Sequence, residues 1–164
     1  MLSAHSRCGR RTPASGERSR METIIFKVPG PPQGKGRPRT GRNKSTGKPV
    51  SYTPAQTVLY ENWIRTCYMQ ETNMLFSNNE LLGIDIMAFF PIPKSTPKKI
   101  RVAMMAGEIR PLKKPDGDNI LKAACDALNG LAYRDDRQLA DKGIHKWYEN
   151  EEHGPGLEIT ITMG

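Results

Sequence analysis

Residues 23–28 are β-branched and apolar, and the Pro-Gly-Pro-Pro cluster at 29–32 breaks them off, so they predict a first strand. Residues 81–91 form a longer apolar run closed by Pro91-Ile92-Pro93 and predict a buried strand. Residues 157–162 alternate apolar and polar and predict a half-exposed last strand, after residues 139–148 with strand character and a hairpin loop at 149–156. Helical spacing appears twice. Val58, Leu59, Trp63, Ile64, Cys67 and Tyr68 predict a helix to about Gln70 with Thr53 as its cap and Pro54 in its first turn. Ile120, Leu121, Ala124, Cys125 and Leu128 predict a second helix, from near Asp118 to a stop at Asn129-Gly130. Residues 94–105 read as a short capped helix with a basic start. The order β, long loop, α, β, short α, α, β, β gives an α+β (mixed α/β) domain, a small mixed sheet with flanking helices.

A length of 164 residues allows one domain plus a tail. Residues 1–20 carry five arginines and one acid without an apolar core. They are read as a disordered extension, or as sequence preceding a start at Met21, and the domain as 21–164. The chain holds 25 basic and 17 acidic residues, a net charge of +8, which points to a polyanionic partner, most commonly nucleic acid. The charge is uneven. No acid occurs from Lys27 to Lys48, where Lys35, Arg37, Arg39, Arg42 and Lys44 stand on Gly- and Pro-rich chain. Such a loop suits phosphate contact better than a solvated linker. Lys98 and Lys99 form a second basic patch that serves equally as a phosphate contact or as a solvated helix face. The aromatic residues of the first helix fit a core stripe better than base stacking.

Three cysteines, Cys8, Cys67 and Cys125, lie far apart and form no Cys/His cluster, which supports neither a disulfide framework nor a zinc site and suits a reducing compartment. No apolar run reaches membrane-spanning length, and a cytoplasmic protein is expected.

The acids concentrate elsewhere. Asp116 and Asp118 sit one residue apart at the mouth of the second helix, Lys122 follows one turn on, and Asp135-Asp136 comes after the helix. Helix capping accounts for one aspartate, with Asp118 the expected cap and Asp116 in the preceding turn. It does not account for two plus a later pair. Alternate carboxylates can share one divalent cation, and Mg²⁺ uses few protein carboxylates beside water and phosphate oxygens. Lys122 shares a face with Asp118, either as a routine ion pair or as a cation that stabilises charge on phosphorus. Asp126, a further turn on, is expected to pair with a cation. Either member of the later pair can serve as a ligand. These residues support a metal-dependent phosphodiesterase.

The run from Lys114-Pro115-Asp116-Gly117-Asp118-Asn119 through Lys122 to Asp126-Ala127-Leu128-Asn129-Gly130, followed by Tyr133, Asp135-Asp136 and Gln138, closely resembles the RusA family of Holliday-junction resolvases. Pro31-Pro32 with Lys35, Arg37, Pro38 and Arg39 resembles the family's N-terminal loop, and Pro93-Lys94-Ser95 with Lys98-Lys99 its middle. The likeness runs from about Ile24 to Tyr148. It implies a homodimeric endonuclease that nicks four-way DNA junctions with Mg²⁺ or Mn²⁺ in recombination and repair. By position it implies Asp116, Asp118 and Asp136 as catalytic, metal-binding acids, Lys122 as the catalytic lysine and Asp135 as a neighbouring assistant. A C2 dimer suits a reaction on two symmetry-related strands. Gly117 stands where the family more often has a bulky apolar residue, and a looser turn between the aspartates is expected there. The competing readings are a non-catalytic junction-binding protein and a general branched-DNA nuclease.

Overall fold

The structure is a computed structural model, and it describes residues 22–164. The N-terminal extension and Cys8 lie outside the described residues. Ten elements follow in order: β1 (Thr23–Pro29), β2 (Arg39–Arg42), β3 (Pro49–Tyr52), α1 (Ala55–Glu71), β4 (Leu82–Phe90), α2 (Lys98–Met105), α3 (Gly117–Leu128), a 3-10 turn (Asp136–Gln138), β5 (Leu139–Tyr148) and β6 (Gly156–Met163). The main sheet has the order β1-β6-β4-β5, antiparallel except for the parallel β4/β5 pair. The expected mixed α+β architecture with a small mixed sheet is therefore present.

Strand alternation explains how the sheet is covered. Ile24, Phe26 and Val28 of β1, Ile84, Ile86 and Ala88 of β4, and Leu157, Ile159 and Ile161 of β6 are buried together with residues of α1 and α3. Successive strand residues point to opposite faces. Accordingly Ile25 and Met87, out of phase with that set, remain exposed. Helices α1 and α3 cover this face of the sheet, and α2 buries no residue in the core. Burying each large aliphatic side chain contributes about 1.5–3 kcal/mol, so this interface dominates stability.

Five expectations change. Residues 149–156 do not close a hairpin: β6 inserts between β1 and β4, so the chain leaves the edge strand β5 and crosses over β4. The basic loop contains a small hairpin, β2 with β3, in which Arg39 faces Tyr52 and Arg42 faces Pro49. The first helix buries Thr57, Tyr60, Ile64, Cys67 and Tyr68, leaving Val58, Leu59 and Trp63 exposed. Trp63 is held at the surface because its indole N–H donates to the Pro29 carbonyl. Thr53 is not the cap of α1, whose N-cap position is Pro54, and α2 begins at Lys98 after a turn at 94–97.

Burial raises the pKa of the Tyr60 phenol from 10.0 to about 12, against an opposing pull from the Gln33 backbone. Tyr133 is pushed up by burial too, with Cys125 adding to the shift. A raised folded-state pKa favours the neutral phenol. The stabilisation is therefore complete below pH 10.0 and is lost progressively as pH rises through about 12. Equilibrium denaturation across that window should show stability falling with pH, and falling less steeply in Tyr60→Phe. Parallel slopes for the two proteins would remove Tyr60 as a titrating group.

Candidate nuclease site

Helix α3 begins one residue earlier than the sequence suggests, so Asp116 rather than Asp118 takes the N-cap position. The Asp116 side chain makes no capping hydrogen bond, and Asp118 lies in the first turn. Both carboxylates are exposed. Capping therefore consumes neither, although acids at this end of a helix are favoured by its dipole. Gly117 does not loosen the turn. A Cβ there would lie 3.3 Å from Ile144 side-chain atoms, so the glycine allows the start of α3 to sit directly on β5.

Lys122 donates to the Asp118 carboxylate at 2.7 Å. The side chains are 60% and 68% exposed, so the pair belongs to the surface class that contributes only about 0.3–0.5 kcal/mol. At that strength the lysine separates readily from Asp118 when a more highly charged group arrives.

The acidic pair after α3 divides. Asp135 accepts from the Arg137 backbone N–H and from its guanidinium, and forms a capping box with Gln138. The Arg137 side chain beside it holds its carboxyl well below the usual carboxylate range. Asp135 is thus committed to the turn, and Asp136 is exposed. Burial pushes the Cys125 thiol up, with Lys142 opposing and Asp136 adding to the shift. Among the described residues no three His, Cys, Asp or Glu side chains gather in an arrangement that holds a metal. Asp116 and Asp118 share the start of α3, and Asp136 opens the 3-10 turn that follows the helix in the chain.

The basic loop docks on this helix. The Lys35 N–H donates to the Asn119 carbonyl at 2.8 Å. The Gly36 N–H donates to the buried hydroxyl of Thr57 at 3.1 Å. The Lys35 ammonium pairs with Asp126, as expected of that aspartate. Between loop and helix lies a groove of about 860 Å³ lined by residues 32–39, Pro54, Gln56, Thr57, Lys114, Pro115, Asp116 and Asn119. Arg37 and Arg39 therefore share one groove with Asp116. Lys35 also borders it, although its charge is engaged by Asp126. Arg42 lies on β2, Lys44 in the hairpin turn, and Lys98 and Lys99 at the start of α2; none of these four lines the groove. Sequence reasoning missed Thr57, Asn119 and Lys114. A threonine on the buried stripe of α1 is the one available signal for Thr57. Asn119 acts through its backbone, which residue identity does not reveal.

The family model for endodeoxyribonuclease RusA matches residues 29–162. "Uncharacterized protein YqaN" of Bacillus subtilis (strain 168) is 34% identical over 144 residues, covering 86% of this chain and 96% of that protein.

Gly34 makes the docking possible. A Cβ there would lie 2.8 Å from Pro115 Cβ and 3.0 Å from Asn119 Cβ, closer than such atoms approach. In Gly34→Ala the loop should lift from α3, with nuclease activity reduced about tenfold or more, in line with the sensitivity of catalysis to small displacements. Nicking assays beside a melting curve check this; unchanged nicking would show that the docked loop is dispensable.

Proposed function

The chain belongs to the RusA endodeoxyribonuclease family, and from that premise we propose that it resolves four-way DNA junctions by metal-dependent phosphodiester hydrolysis. The observation that carries this reading is the start of α3. Two uncapped aspartates stand there one residue apart: Asp116 lines the groove beside the acid-free arginine loop, and Asp118, in the first turn, has the Lys122 ammonium 2.7 Å away. In this reading Asp116 and Asp118 hold the ion and Asp136 completes the acidic set. Their hard oxygen donors suit Mg²⁺ or Mn²⁺, which need few protein carboxylates when water and phosphate fill the remaining shell. Such an ion, when bound, supplies water activation and Lewis-acid stabilisation of the leaving oxygen.

The chain's own residues do the rest. Arg37 and Arg39 seat backbone phosphates along the groove and fix the register of the strand, without reading its sequence. Lys122 leaves its weak pair with Asp118 and donates to a non-bridging oxygen as negative charge builds on phosphorus. Arg42, Lys44, Lys98 and Lys99 extend the phosphate-contacting surface beyond the groove. A second copy related by two-fold symmetry supplies the other cut, so the working unit is a homodimer on branched DNA. Among the described residues no helix is long and apolar enough to cross a membrane. The substrate places the protein in the cytoplasm of a bacterial or phage-infected cell.

Purified protein incubated with a synthetic four-way junction tests this directly. Asp118→Asn should lower cleavage in Mg²⁺ by at least about a hundredfold, with junction binding retained. Cutting at the wild-type rate would reject the assignment of the acids. Lys122→Ala should slow cleavage by a similar order; an unchanged rate would reduce Lys122 to an ion-pair partner. Mapped nicks should fall symmetrically across the junction. Scattered nicks on flaps and forks would make the enzyme a general branched-DNA nuclease, and binding without metal-dependent nicking would make it a junction-binding protein.

A further inference from the structure

The groove accounts for Arg37 and Arg39. Outside its lining, on the chain between α2 and α3 and at the end of β5, three further cations are tied into a string by backbone carbonyls. Arg110 Nε donates to the Lys146 carbonyl at 2.7 Å. Lys146 Nζ donates to the Lys113 carbonyl at 2.7 Å, and Lys113 Nζ to the Pro91 carbonyl at 3.2 Å. Both ammonium groups lie over the same ring, Phe90, at 5.0 Å for Lys146 and 5.8 Å for Lys113. Arg110 stacks on Trp147. The string leads through Lys114, which lines the groove, to Asp116.

These cations are ordered together by carbonyls and aromatic rings, and like most cations of the described residues they face no carboxylate. Lys27, Lys35, Lys122 and Arg137 each have a carboxylate within 4.0 Å. Among the described residues Arg110, Lys113 and Lys146 have none. The Glu149 carboxylate, on the adjoining chain, is engaged by the Ile92 N–H. Two like charges held over one aromatic ring repel each other, and each carbonyl bond occupies only one of an ammonium's three donors. The side chains are therefore ordered in advance while their charge is left unanswered. Pre-ordering lowers the entropy cost of binding an anion.

We propose that Lys113 and Lys146 form a phosphate seat for the DNA backbone next to Lys114, outside the groove lined by Arg37 and Arg39, with Arg110 extending it. The inference rests on the DNA-cleaving reading above and adds the second half of the grip. The DNA backbone is then held by the arginines of the docked loop and by a carbonyl-tethered lysine pair outside the groove. Backbone contact of this kind is independent of sequence and appears in the salt dependence of binding, about 0.9 in slope for each phosphate neutralised on duplex DNA.

The test measures junction affinity in EDTA over a range of salt concentrations for the full-length protein. Wild type, Lys113→Gln/Lys146→Gln, and Lys113→Arg/Lys146→Arg are compared, with a melting curve for each. The glutamines retain a donor for the carbonyl tethers and remove the charge. The double Gln variant should lower the log–log salt slope by about 2, and the double Arg variant should restore it. An unchanged slope in the Gln variant overturns the seat while leaving the functional reading in place. A slope that falls in the Gln variant and is not restored by Arg also overturns it, assigning the lysines to packing. Failure of wild type to bind the junction in a salt-dependent way would instead reject the functional reading itself.

Discussion

The active end of this molecule depends on one close approach, between the glycine-flanked loop at Lys35 and the first turn of α3. The Lys35 amide reaches the Asn119 carbonyl at 2.8 Å only because Gly34 has no Cβ to strike Pro115. The same loop is tied on its other flank by the buried Thr57 hydroxyl. An ion pair to Asp126 adds a third tether from farther along the helix. A segment that would otherwise wander is thereby fixed against the helix that carries the aspartates. Beneath it, Gly117 seats that helix on Ile144 of β5. Two glycine contacts thus set the position of the acids relative to both the sheet and the arginines.

Much of this was legible in the sequence where one local rule acted alone. β1, β4 and β5, and the stop of α3 at Asn129, followed from apolar runs and breakers. Lys122 and Asp118 were placed together by helical spacing, and they meet at 2.7 Å. The larger misreadings share a cause: they needed a partner distant in the chain. Trp63 reads as core by type, yet the Pro29 carbonyl retains its indole at the surface. The segment 149–156 reads as a hairpin loop by composition. The hydrogen-bonding positions beside β4 and β1 draw β6 away from β5, and no turn residue encodes that choice.

The site itself was legible in its residue types more than in its connections. Which aspartate of a neighbouring pair is free depends on the register of a short turn. Asp135 falls at the cap of the 3-10 turn, where Arg137 and Gln138 engage it, and Asp136 falls one residue inside, where its carboxylate faces outward. A shift of one residue would exchange them. The basic loop carries a similar division. Lys35 reads as a phosphate contact from composition, but its ammonium is held by Asp126, so its charge serves to fasten the loop.

Charge count and charge availability are therefore separate quantities in this chain. A net charge of +8 describes the first and draws polyanions over distances limited by ionic screening. Availability is decided locally, by whether a carboxylate lies within reach and whether the tether leaves donors unused. By that measure Lys35 and Arg137 are spent within the fold. Lys122 is held only by a surface pair that a phosphate can outcompete. Lys113 and Lys146 are oriented by carbonyls that leave their charge intact. Lys113 and Lys146 thus combine order with unanswered charge, the condition under which a phosphate backbone gains most from binding and loses least to the ordering of side chains.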